Sequence, residues 1–271
     1  MAHLLKNPSV SALRVGVWFI AVGLFITPLV LVVSLALGGN QIPTLLEQGL
    51  SIATWNSLFT TALSALAAVI IGTVIAIAID RTDIYGSSVL RLFLLSPLLV
   101  PPFIGAIAWT QLFGPNQGLN RLIGFELWNI YGADGVIALM TIHSFPTAYV
   151  IISSGLRSIS PDFELAARVS GASVITVLRT VTLPLLRPAL LSAFTLTAIA
   201  NLADFGIPAI IGSPARFETL ATMIYRFIDS GTVSNPLQVV STIGVVLLFL
   251  GIGAVIMDYL TSLRNSPSSH D

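Results

Sequence analysis

Six apolar runs, each long enough to cross a bilayer, occupy most of this 271-residue chain. Only 9% of the residues are charged, against about 25% in soluble domains. The sequence therefore predicts an all-α membrane protein with six transmembrane helices. The zero formal net charge gives no indication of nucleic-acid binding. The six predicted spans are Val15–Leu37, Trp55–Ile79, Val89–Phe113, Gly135–Ser154, Ala189–Ile211 and Pro236–Leu260.

The first run also has the character of a signal peptide, since it follows Lys6 and Arg14. It is long for the apolar part of a signal peptide and lacks a convincing cleavage site, so we interpret it as a span. The predicted organisation is then an N-terminal segment at residues 1–14 and one transmembrane domain at 15–262. A long loop at 158–188 joins spans four and five, and a polar tail covers 263–271.

Basic residues indicate the orientation of the spans, because cytoplasmic loops are enriched in Lys and Arg. Nine of the twelve fall on the side of the N-terminus, the 158–188 loop and the tail. We therefore expect both termini and that loop to be cytoplasmic. The opposite side carries only Arg121, Arg216 and Arg226, and its Gly212–Asn235 segment predicts a short amphipathic helix at the outer face.

Several kinds of chemistry are excluded by missing residues. The chain has no cysteine, and its three histidines are scattered, so we predict no metal site and no cofactor. Its single lysine, Lys6, has no glycine-rich loop before it, which excludes a Walker A nucleotide site. An intramembrane enzyme would need a nucleophile and a base, and the sequence neighbours His143 and Ser144 supply no such geometry.

Five residues in or near the spans are candidates for a solute path. Pro101 and Pro102 make the third run irregular, which indicates either a kinked packing helix or a path-lining segment. Asp204, with Asn201 on the same face, either caps a helix break or lines the path. His143 is either a buried histidine paired to a neighbouring helix or a contact for solute or proton.

The 158–188 loop carries strong local signals. Ser160 is a favourable N-cap, Pro161 suits the first helical position, and Gly171 can end a helix in a left-handed conformation. Ser173 can cap a second short helix, which Pro184 is expected to stop. The predicted helix, glycine turn and helix would dock either on another protein or on lipid headgroups. The small residues of the segment favour a helix-in-groove contact with protein.

The same segment resembles a signature of importer-type ABC permeases. That signature reads E-A-A, three residues, Gly, nine residues, I-x-L-P, and here Ala166-Ala167, Gly171 and Val181–Pro184 meet its spacing. Leu165 occupies the glutamate position, with Glu164 one place earlier. The resemblance implies a coupling helix that inserts into a groove of a cytoplasmic ATPase subunit. The residues implied in this coupling are Phe163, Glu164, Ala166, Ala167, Arg168, Gly171, Ala172 and Pro184.

Asn56–Leu58 resembles an N-S-L sequence common in these permeases. Two further segments, Pro101–Asn120 and Ala203–Phe227, are similar to their ferric-iron-type subgroup. Permeases for aminophosphonates, polyamines, thiamine and sulfate overlap with this subgroup. The resemblance implies an inner-membrane permease subunit of an ATP-driven importer, with ferric iron as the first candidate solute. It also implies cytoplasmic ATPase subunits, a periplasmic solute-binding protein and a second permease, identical or related, within the lipid. The alternative class is a self-sufficient secondary carrier, which the few intramembrane charges and the docking loop disfavour.

Overall fold

The computed structural model describes residues 8–229, 231, 233 and 235–265, and the described residues are almost entirely helical. Parts of the predicted N-terminal segment and tail, residues 1–7 and 266–271, lie outside that description. We number the α-helices α1 Pro8–Leu37, α2 Ile42–Glu47, α3 Leu50–Arg81, α4 Ser87–Leu95, α5 Pro102–Phe113, α6 Gly118–Ile123, α7 Ala133–Ser158, α8 Pro161–Val169, α9 Val174–Val177, α10 Leu183–Leu202, α11 Leu220–Asp229 and α12 Pro236–Asn265.

Within the described part of the chain, five stretches of helix are long and apolar enough to cross a membrane, and a bent helix pair supplies the sixth candidate span. Helices α1, α3, α7 and α12 confirm four predicted spans, with ends that differ by a few residues. The amphipathic helix predicted within Gly212–Asn235 is confirmed as α11. The all-α, six-span prediction therefore holds.

The third span is broken rather than continuous. Its two halves, Ser87–Leu99 and Pro102–Ile123, meet at an angle of 100°. The prediction of one helix over Val89–Phe113 is therefore wrong in its geometry. Pro102 lacks a backbone N–H, and Val100 before Pro101 is extended, so the helical hydrogen-bond ladder cannot cross this point.

The fifth span is displaced along the chain from its prediction. One continuous helix runs from Val174 to Leu202 and includes a π-helical turn at Leu178–Thr182. The expectation that Pro184 stops the second loop helix is therefore wrong. The wider π turn just before Pro184 relieves the clash between a proline ring and the carbonyl four residues earlier. The predicted continuation to Ile211 is also wrong, because α10 ends at Leu202.

The described residues form two compact units. One comprises residues 8–50 and 224–248. Within it, Gln41 Nε2 donates a hydrogen bond to Gln238 Oε1 at 2.8 Å, and Arg226 Nη2 donates to the carbonyl of Gln48 at 3.0 Å. These bonds tie the connection after α1 to the beginning of α12 and to α11.

The other unit comprises residues 51–223 and 249–265, and its core is formed by α3, α7 and α10. Two glycines let these helices approach closely, as small residues do in membrane bundles. A Cβ on Gly72 of α3 would lie 2.8 Å from the backbone nitrogen of Tyr149, and one on Gly155 of α7 would collide with Ala189 Cβ. Backbone contact thus fixes α7 against both neighbours.

Candidate functional site

The segment after α7 has the local structure that the sequence predicts. Ser160 Oγ accepts a hydrogen bond from the backbone nitrogen of Asp162 at 3.3 Å and so caps α8. Gly171 has a φ of 90°, in the left-handed region, and turns the chain between α8 and α9. Ser173 Oγ accepts from the backbone nitrogen of Thr176 at 3.2 Å and caps α9. The two caps and the glycine turn are confirmed.

An exposed apolar surface covers α8 and α9, and we call it the α8–α9 face. Val169 is 89% exposed and Phe163 is 59% exposed, on a segment that joins two spans. An apolar patch of this kind on a polar connection is typical of a contact surface for another molecule. The residues of the α8–α9 face are Phe163, Leu165, Val169, Val174 and Ile175.

The residues that the sequence assigns to coupling divide into two groups. The exposed members are Phe163, Ala166, Arg168 and Gly171. The half-buried members are Glu164, Ala167, Ala172 and Pro184. The first group therefore forms part of the outer surface of the loop, and the second group lies beneath that surface.

Glu164 faces into the chain, whereas Leu165, at the motif position of glutamate, is exposed. Glu164 Oε1 accepts hydrogen bonds from Arg81 Nε at 3.1 Å and from Thr182 Oγ1 at 2.8 Å. It therefore connects α8 to the end of α3 and to the π turn before α10. Neither Arg81 nor Thr182 could be identified from the sequence as a partner of Glu164, because both lie far from it along the chain.

Asp80 forms a second ionic cluster that the sequence reasoning missed. Its side chain is only 3% exposed and lies 2.8 Å from Arg91 Nη2 and 3.1 Å from Arg157 Nη2. Ser153 Oγ also donates to it. An acidic residue at the end of a long apolar run was the available signal, since a buried carboxylate requires partners.

Four of the five predicted path residues line one cavity of about 280 Å³: Pro102, His143, Asn201 and Asp204. The lining also includes Pro97 and Val100 from the broken third span. Pro101, the exposed residue before α5, is not part of that lining. The break in the third span thus helps to shape a cavity that also contains an imidazole, an amide and a carboxylate.

The detailed contacts of these residues refine the predictions. Asn201 is buried and its Nδ2 donates to Ser64 Oγ at 2.8 Å and to Ser144 Oγ at 3.4 Å, so it joins α10 to α3 and α7. Asp204 Oδ1 accepts from the backbone nitrogen of Gly206 at 2.9 Å, as expected for a residue that caps a helix break.

His143 packs against α5 at Gly105, where a Cβ would collide with its Nε2. His143 therefore contacts its neighbouring helix by packing against a glycine. The imidazole also lines the cavity.

The cavity has both polar and apolar walls. Among the described residues, no group of three or more His, Asp or Glu side chains is placed to hold a metal ion. The polar groups of its lining include one carboxylate, from Asp204, and one imidazole, from His143.

Comparison with known proteins adds independent information. The family described as "Binding-protein-dependent transport system inner membrane component" matches residues 72–264. The ferric transport system permease protein FbpB of Actinobacillus pleuropneumoniae is 27% identical over 227 residues, covering 82% of this chain and 32% of that protein. The chain thus spans about a third of that relative's length. The putrescine transport system permease protein PotI of Escherichia coli (strain K12) is 31% identical over 185 residues, covering 66% and 62%.

The fold also matches a solved structure. A chain of the bacterial alginate ABC transporter, in complex with a periplasmic protein that carries an alginate pentasaccharide, superposes with a TM-score of 0.80 at 16% identity. The match covers 97% of this chain and 96% of that one. The matched family region, residues 72–264, contains the α8–α9 segment, both ionic clusters and the cavity. The chain belongs to the family of inner membrane components of binding-protein-dependent transport systems.

Proposed function

We propose that the chain is a permease subunit of an ATP-driven importer and that its α8–α9 face docks on a cytoplasmic ATPase subunit. The exposed apolar α8–α9 face carries this proposal, because it lies on a connection between two spans. The same segment has the residue spacing of the importer signature. Helices with exposed apolar anchors bind into grooves of partner proteins. ATP hydrolysis then belongs to the partner, and both termini of this chain are cytoplasmic.

The solute path is completed by a second permease subunit, either an identical copy or a related chain, and a periplasmic binding protein delivers the solute. Similarity to FbpB supports ferric iron as the solute, and similarity to PotI supports a polyamine. Ferric iron remains the first candidate, ahead of polyamines, aminophosphonates, thiamine and sulfate.

Affinity purification from detergent-solubilised membranes tests the docking surface. Phe163→Asp and Val169→Asp place charges on the α8–α9 face. Leu122→Asp makes the same kind of change at an exposed leucine of α6, distant in sequence from that face. We expect a polypeptide with a Walker A sequence and ATPase activity to co-purify with the wild type and with Leu122→Asp.

The two variants of the α8–α9 face should lose that polypeptide while remaining in the membrane fraction. Retention of the ATPase by both would show that docking occurs elsewhere. Absence of an ATPase from the wild type would instead favour a self-sufficient carrier.

A further inference from the structure

We propose that the ion pair between Arg81 and Glu164 transmits ATP-driven motion from α8 to the membrane spans, which makes Arg81 a positioning residue. The inference rests on the proposed function, in which an ATPase moves α8. The ion pair lies on the inner side of the 158–188 loop, whereas the proposed docking uses the exposed α8–α9 face. Loss of this ion pair should separate ATP hydrolysis from movement of the spans without releasing the ATPase.

Arg81, the last residue of α3, joins three elements. Its Nε donates to Glu164 Oε1 at 3.1 Å, and its Nη2 donates to the carbonyls of Leu156 at 2.9 Å and Ile159 at 3.3 Å. Those carbonyls belong to the last turn of α7 and to the residue after it, where the helical hydrogen bonds end. The carbonyl of Leu156 also accepts from the backbone nitrogen of Ile159 at 3.3 Å. One guanidinium therefore connects the ends of α3 and α7 to the first turn of α8.

Glu164 extends the connection to α10. Its Oε1 also accepts from Thr182 Oγ1 at 2.8 Å, and Thr182 lies in the π turn that leads directly into α10. The side chains of Arg81 and Glu164 are only 19% and 18% exposed. A pair that is mostly shielded from water and also hydrogen-bonded is held more firmly than a surface ion pair.

The backbone leaves the helical conformation on both sides of α8. Extended residues Ile159 and Ser160 precede α8, and the turn around Gly171 follows it. A force on α8 would rotate it at these two connections unless side chains fix its orientation. Among the described residues, Glu164 makes the only salt bridge between α8 and the rest of the chain, and its hydrogen bond with Thr182 adds a link to the π turn.

The test uses the complete complex with its ATPase and needs no knowledge of the solute. Since the chain has no cysteine, Thr147→Cys places a single thiol in the wall of the cavity. A methanethiosulfonate reagent then reports the accessibility of that thiol, with and without ATP and vanadate. The parent with Thr147→Cys alone should show different modification rates in the two conditions.

Adding Glu164→Ala or Arg81→Ala should abolish that difference while ATPase co-purification and ATP hydrolysis persist. Glu164→Gln keeps an oxygen acceptor for Arg81 and Thr182, and should restore part of the difference. Ser57→Ala, a destabilising change far from the loop in sequence, should leave it intact.

Three outcomes would overturn the proposal: an unchanged nucleotide response in both alanine variants, an equal loss in Ser57→Ala, or no nucleotide response in the parent. Failure of the ATPase to co-purify with the parent is a different result, because it would contradict the proposed function itself.

Discussion

Ser57 Oγ in α3 accepts a hydrogen bond from the backbone nitrogen of Leu220 at 2.8 Å and so caps the first turn of α11. The preceding residue, Asn56, donates from Nδ2 to the carbonyl of Glu218, also at 2.8 Å. Two neighbouring side chains of α3 therefore hold the segment at the beginning of α11 in place. This contact gives a physical role to the Asn56–Leu58 sequence, which local reasoning recognised only as a resemblance.

Ser57→Ala is predicted to destabilise the protein by about 1–3 kcal/mol, because the buried nitrogen of Leu220 loses its acceptor. The apparent melting temperature in detergent should fall measurably. Ser158→Ala is the control, since its exposed hydroxyl only donates to Gly155 within α7. Equal melting temperatures for the two variants would contradict a capping role for Ser57.

Asp80→Asn is predicted to cost about 1–3 kcal/mol, because Arg91 and Arg157 lose a buried charged acceptor. Arg157→Gln should cost no more than about 1 kcal/mol, since that side chain is largely exposed. Thermal unfolding of the two variants in the same detergent measures the difference. A larger effect of Arg157→Gln would show that the pair with Arg157, rather than the buried carboxylate, dominates the cluster.

Gly171→Ala is predicted to cost about 1–2 kcal/mol, because its left-handed backbone opposes a Cβ although no atom lies within 4 Å of one. Gly171→Asn should cost less, since asparagine tolerates this conformation. Gly171→Val should impair ATPase coupling while membrane insertion, measured by fractionation, stays intact. Gly251→Ala is a suitable control because it adds a Cβ to open space within α12; an equal effect there would exclude backbone strain as the cause.

Gly105→Ala and His143→Ala are predicted to be non-additive. A Cβ at residue 105 collides with His143 Nε2, so Gly105→Ala alone must displace the imidazole that lines the cavity. Combined with His143→Ala, it should cost about 0.5–3 kcal/mol less than the sum of the single changes. Melting temperatures of the four proteins measure the coupling. Simple additivity would show that the two side chains do not constrain each other.

The sequence predicted features whose causes are local. Apolar length alone located four of the six predicted spans, since a bilayer demands about 20 apolar residues wherever they occur. The caps at Ser160 and Ser173 and the turn at Gly171 followed from side-chain chemistry within a few residues.

Features that depend on distant partners were not predictable in this way. Asp80 binds Arg91, Ser153 and Arg157, which lie 11, 73 and 77 residues away, and no short pattern encodes such a set. The prediction that Pro184 stops a helix was wrong for a related reason. Proline usually ends a helix, but here a π turn just before it allows the helix to continue.

That π turn also sets the rotational register between α9 and α10. A turn with one residue more than an α-helical turn offsets the side chains on its two sides by about 100° around the axis. The Val174–Val177 residues and the core-facing residues of α10 therefore point in directions that a straight α-helix would not allow. Removing one residue from Leu178–Thr182 would restore the straight register and turn Val174 and Ile175 to another side, with both flanking sequences unchanged.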